Sequence, residues 1–107
     1  MIRFKFVRSG KSTVGFECSG HAGYAQAGKD IVCAAVSSAA YLTANTITDS
    51  FNVKADIQVD DGYMYFELLE ESNEALKVLN GLEAHIRSLA QDYPRSIKVI
   101  YGGNTNA

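Results

Sequence analysis

The sequence predicts an α+β fold: a two-layer sandwich of a mainly antiparallel five-stranded sheet with two helices on one face, in the order ββαββαβ. Three observations carry this. Five segments alternate apolar and polar residues with period two, and two longer segments place apolar residues three and four apart. An Asp-Gly pair also joins two of the alternating segments where a tight hairpin needs it.

In "IRFKFV", Ile2, Phe4 and Phe6 share one side of a strand while Arg3 and Lys5 take the other. "TVGFECSG" follows after "RSGKS", with Val14, Phe16 and Cys18 on one side and Thr13, Gly15 and Glu17 opposite, which predicts a hairpin. From Asp30 to about Phe51 no proline or glycine interrupts a run of small and apolar residues at helical spacing, so the first helix lies here. Its alanines and serines leave little side-chain bulk, and such a helix can lie close on a sheet or on a copy of itself.

"KADIQVDDGYMYFELL" contains the third and fourth strands about its Asp-Gly turn. The second helix opens on Ser72 or Asn73 as its cap. Leu76, Leu79, Leu82, Ile86, Leu89 and Tyr93 line one face until Pro94 stops it. "SIKVIYGG" is the fifth strand, with Ile97, Val99 and Tyr101 on one side. Alternation in every strand predicts one face against the core and one wetter face, with both helices on the former. Outward aromatic residues, where several are exposed together, would make a dimer surface.

A length of 107 residues suits a single domain, 1–107. Hydrophobic residues at 47% and charged residues at 21% are ordinary for a globular protein and argue against disorder. A net charge of −2 with no run of lysine or arginine supplies no footprint for nucleic acid. The N-terminus reads as a strand with no export signal, and no uninterrupted apolar run approaches the length of a membrane span. Two cysteines in such a chain suit a reducing compartment, which predicts a cytoplasmic protein with no nucleic-acid or membrane partner.

The segment "GHAGYAQAGKDIVCAAVSS" places His21 at the end of the second strand and Cys33 near the start of the first helix. With Asp30 as cap, Cys33 takes about the third helical position, where unpaired N–H groups and the helix dipole favour the thiolate. The strand end and the helix start can be neighbours, so His21 is within plausible reach of the thiol as its base. The same N–H groups could face a developing oxyanion. Between them "AGYAQAGK", with Ala22, Gly23, Tyr24 and Gly28, suits closure over a bound chain.

On spacing alone the alternatives stay open. A cysteine in an alanine-rich helix also serves as a small buried hydrophobe, His21 as a strand-end residue, Asp30 as a simple cap or as the group that orients His21, and the loop as a connector. Cys18 belongs to an apolar strand face and reads as structural. No Cys-x-x-Cys or paired histidines complete a metal site, so no metal or cofactor is expected. His85 lies off the leucine stripe, toward solvent or a partner. Glu67, Glu70, Glu71 and Glu74 are favourable charge near a helix N-terminus, and more weakly an attraction for a basic peptide.

The same segment resembles the signature of the ribosomal-processing cysteine proteases of the Prp family. Gly20, His21, Ala22, Gly28, Asp30, Ile31, Val32, Cys33, Ala34, Ala35, Val36 and Ser37 fit that pattern, and element order and length fit the family architecturally. The resemblance implies a homodimeric cytoplasmic cysteine endopeptidase that removes the N-terminal extension from a large-subunit ribosomal protein precursor. Cys33 would be the nucleophile, His21 its base, Asp30 and Ser37 supporting residues, and residues 22–29 the loop that orders over substrate. The rival expectation is a non-catalytic dimeric peptide-binding or ribosome-assembly module, with a redox or metal-binding role third.

Overall fold

The computed structural model describes residues 1–20 and 30–103. The strands are β1 (Ile2–Ser9), β2 (Ser12–Ser19), β3 (Ala55–Asp60), β4 (Tyr63–Leu68) and β5 (Ile97–Gly103); the helices are α1 (Ile31–Asn45) and α2 (Asn73–Asp92). Their order is the expected ββαββαβ.

The strands form one sheet in the order β3-β4-β2-β1-β5. Each neighbouring pair is antiparallel except β1 and β5, which run parallel because α2 carries the chain from one end of the sheet back to the other. Phe4, Phe6, Phe16 and Phe66 are fully buried on one sheet face, with ring centroids 4.9 Å apart within β1 and 5.4 Å apart from β1 to β2 and from β2 to β4. Val32, Val36, Ala40 and Ala44 of α1 and Ala75, Leu79, Leu82 and Ile86 of α2 close on that face in a single core. Both helices therefore lie on one side, as the alternation predicts.

The alternation fails in two strands. In β2 the pairing with β1 shifts between Val7 and Arg8, which face Gly15 and Thr13, so Val14 is an inserted residue. Thr13, expected outward, is buried, and its hydroxyl donates to Glu83 of α2 at 2.6 Å. Glu83 also accepts from Tyr101 at 2.9 Å, so one carboxylate ties β2 and β5 to α2. In β3, Ile57 and Val59 stand opposite the buried Phe66 and Met64 yet are 41% and 52% exposed. The helix layer stops short of this edge, and the charges of Asp56 and Asp60 protect a short strand that the helices leave uncovered.

The first helix also ends differently from its reading to Phe51. After Asn45 the backbone widens into a π-helical turn over Thr46–Ser50, in which the Phe51 N–H donates to the Thr46 carbonyl at 3.1 Å. Asn52 then adopts φ 56°, a left-handed stop that asparagine tolerates. Ser72 caps α2 by accepting from the Ala75 N–H, one of the two expected caps.

Candidate active site

The end of β2, the turn after β3 and the start of the chain converge at one end of the sheet. Gly20 donates its N–H to the Gly62 carbonyl at 3.0 Å. A side chain at Gly20 would start 2.5 Å from the Met1 carbonyl oxygen, and φ there is 92°, so glycine is required on both counts. The chain re-enters at Asp30, whose extended backbone places its side chain over the first turn of α1.

Asp30 caps α1 as expected: its Oδ1 accepts from the N–H groups of Val32 and Cys33, both at 3.0 Å. Its other oxygen, Oδ2, accepts from the Cys33 thiol at 3.2 Å. Cys33 is thus the third residue of α1, half-buried against the core, with its S–H directed at a carboxylate. Ser37 follows one turn later and is exposed, on the side of α1 that Cys33 shares. His21, Ala22, Gly23, Tyr24 and Gly28 lie outside the described residues.

Two consequences differ from the reading of the segment. The amides of Val32 and Cys33, expected to face an oxyanion, are engaged by Asp30. The Asp30 carboxylate also bonds the thiol itself, a contact that sequence spacing carries in a form easily missed: a capping aspartate and a cysteine three residues on meet at the helix start. A negative charge at this distance opposes a second one on the sulfur, whereas the helix dipole favours it. Asp30→Asn keeps the cap and removes the negative charge, so Cys33 is expected to alkylate severalfold faster with iodoacetamide at neutral pH, at an unchanged melting temperature. Asp30→Ala loses the cap as well and is expected to cost about 1 kcal/mol of stability. Equal alkylation rates in wild type and Asp30→Asn would show that the carboxylate has no hold on the thiol.

Cys18 behaves as a structural residue. It is half-buried against the core, and burial pushes its thiol up to about 11, with the Glu17 carboxylate adding and a backbone hydrogen bond at Met64 opposing. Neither cysteine forms a disulfide. Among the described residues no group of three or more His, Cys, Asp or Glu side chains is placed to hold a metal ion. His85 is exposed, on the rim of a groove between α1 and α2.

The family model for cysteine protease Prp matches residues 1–98. The ribosomal processing cysteine protease Prp of Bacillus subtilis (strain 168) is 30% identical over 96 residues, spanning 83% of this chain and 86% of its own. Among solved structures, SMU.848 from Streptococcus mutans superposes with a TM-score of 0.83 at 27% identity, over 97% of this chain and 96% of its own. The essential ribosomal processing protease Prp from S. aureus, solved with a covalently linked product peptide, gives a TM-score of 0.89 at 24% identity, over 95% of this chain and 100% of its own. At that identity the S. aureus structure establishes the shared fold.

Proposed function

The chain belongs to the Prp family of cysteine proteases, and from that premise we propose that it removes the N-terminal extension of a large-subunit ribosomal protein precursor with a Cys33/His21 dyad. A cysteine peptidase needs a thiol that is reachable and able to ionise. The observation that carries the assignment is Cys33 at the third position of α1, only partly buried, within the residues the family match covers. Cys18, half-buried and with its thiol pushed up to about 11, is the poorer nucleophile.

In the proposed reaction His21 takes the Cys33 proton and the sulfur attacks the scissile carbonyl carbon, opening the C=O to an oxyanion. Donors other than the Val32 and Cys33 amides hold that oxyanion, since Asp30 occupies those two. Collapse breaks the C–N bond, His21 returns the proton to the leaving amine, and the acyl group remains on sulfur as a thioester. Water, deprotonated by the same imidazole, then hydrolyses the thioester and restores the thiol. Asp30 positions the first turn of α1 and Ser37 supports the site one turn on. Residues 22–29 contact the substrate. The enzyme acts as a cytoplasmic homodimer.

The test is incubation with a ribosomal protein precursor that carries its extension, reading the new N-terminus by mass spectrometry. A single new terminus is the expected result. A precursor that binds and stays intact would make the chain a peptide-binding module instead.

A further inference from the structure

β3 is an edge strand, with β4 on one side and, among the described residues, no strand on the other. The ladder fixes which of its main-chain groups face that edge. Leu69 donates its N–H to the Lys54 carbonyl at 2.9 Å, and hydrogen-bonded pairs alternate along an antiparallel ladder, so Asp56, Gln58 and Asp60 are the β3 residues bonded to β4. Ala55, Ile57 and Val59 therefore turn their N–H and C=O groups outward. The helices leave the Ile57 and Val59 side chains exposed as well. On the opposite face Asp56 and Asp60 flank Gln58, Asp56 stands across from Glu67 of β4, and Asp61 follows in the turn. Among the described residues none of these carboxylates is in an ion pair.

We propose that this edge takes an extended, cationic segment of the precursor as an added strand, antiparallel to β3. The inference rests on the peptide-processing reading above and adds to it a binding site apart from the dyad. An outward row of main-chain donors and acceptors recognises another backbone, which is the chemistry of strand addition. Antiparallel pairing is the more stable per residue. In that arrangement the incoming residues opposite Ala55, Ile57 and Val59 place their side chains on the helix side of the sheet, over exposed apolar surface, and those between them reach Asp56 and Asp60. A strand that is apolar on one side and cationic on the other fits both faces at once. A second copy is the poorer match, because β3 and its turn carry Asp56, Asp60 and Asp61 against Lys54 alone, and a copy brings the same acidic excess.

Position suits a substrate. α1 and the π-helical turn carry the chain to the end of the sheet where β3 begins, and β3 returns it to the 61–62 turn, whose Gly62 carbonyl accepts from Gly20 at 3.0 Å. A strand added to β3 thus has one end at the same end of the sheet as the segment that leads to Cys33. β3 is 6 residues long, so the added strand spans about 20 Å at about 3.3 Å per residue. A precursor held over that length is anchored away from the bond being cut, which raises its concentration at the dyad and leaves the chemistry alone.

The probe is a fluorescein-labelled peptide of alternating lysine and valine, long enough to span β3, titrated by anisotropy with the Cys33→Ala protein so that nothing is cut. Binding is expected, and it is expected to weaken at least about tenfold when the backbone nitrogens of the valines are methylated, since those N–H groups meet β3 in the antiparallel register. Methylation at the lysines, whose N–H groups face away, is expected to leave affinity within about twofold. Asp56→Lys together with Asp60→Lys, both exposed, is expected to weaken the unmodified peptide at least about fivefold at an unchanged melting temperature, and in the active protein to raise KM for the precursor. Equal loss from the two methylated peptides, or loss from neither, would overturn the added strand. Affinity unmoved by the two lysine substitutions would place the peptide elsewhere and overturn the site, and an unchanged KM would overturn its part in substrate capture. Anisotropy that rises and then falls as protein is added would give the edge to a second copy and overturn the proposal as well. Peptide bound with the expected pattern beside a precursor that stays intact would refute the protease reading and keep the edge site.

Discussion

Cys33→Ala is expected to lower precursor cleavage by at least about 10⁴-fold, the scale on which removal of an attacking nucleophile acts, while far-UV circular dichroism and the melting temperature stay within a few degrees of wild type. The variant removes one sulfur from a half-buried position and leaves the Asp30 cap on Val32 and residue 33, since those bonds come from backbone N–H groups. Alanine is the best helix former, so the loss is confined to the S–H bond and some packing, about 1 kcal/mol in all. Chemical modification gives an independent reading. Wild-type activity is expected to disappear as one equivalent of iodoacetamide is incorporated at Cys33, with Cys18 reacting far more slowly because burial holds it as a thiol. Cys18→Ala is expected to keep cleavage. Full cleavage by Cys33→Ala would assign the chemistry to another group.

What could be read from the chain beforehand follows the range of the interaction responsible. Asp30 and Ser72 as caps, the Asp-Gly turn before Tyr63, and the strand alternation around Phe4 and Phe66 are local signals, each decided within a few residues. Cys33 at the third position of α1 was legible for the same reason. Strand order was not: β5 lies parallel beside β1, and β3 sits at the far edge, because α2 and the β4–β2 pairing decide which strands meet across dozens of residues. The bulge at Val14 is likewise a property of the β1–β2 pair, and it turned Thr13 toward Glu83 against the plain period of two. At the site, the thiol bond to Asp30 depends on how two side chains share one cap.

Gly15→Ala tests the part of the fold that local reading could not reach, and it is expected to be the most destabilising single-methyl change in the sheet. Gly15 lies in β2 between Val7 of β1 and Glu67 of β4. A Cβ there would stand 2.2 Å from the Phe66 carbonyl oxygen, 2.9 Å from the Glu67 Cα and 3.2 Å from the Phe66 carbonyl carbon. All three are backbone atoms, so no side chain can swing aside and β4 itself must move. That movement parts the β2–β4 pairing at Gly15 and draws the Phe66 ring away from Phe16, now 5.4 Å between centroids. Overpacking of about 1–3 kcal/mol and weakened sheet hydrogen bonds of about 1 kcal/mol each together predict a loss of roughly 3 kcal/mol or more. In a chain of this size that lowers the melting temperature by about 10–20 °C. Gly81→Ala is the contrasting case, a glycine inside α2 with open space around it. Alanine there is expected to stabilise the monomer by about 0.5–1 kcal/mol through helix propensity alone. Thermal melts of the two variants beside wild type should therefore move in opposite directions. A Gly15→Ala melt within two or three degrees of wild type would mean that β2 and β4 do not approach so closely, and the same close approach fixes the end of β2 at Ser19 and Gly20.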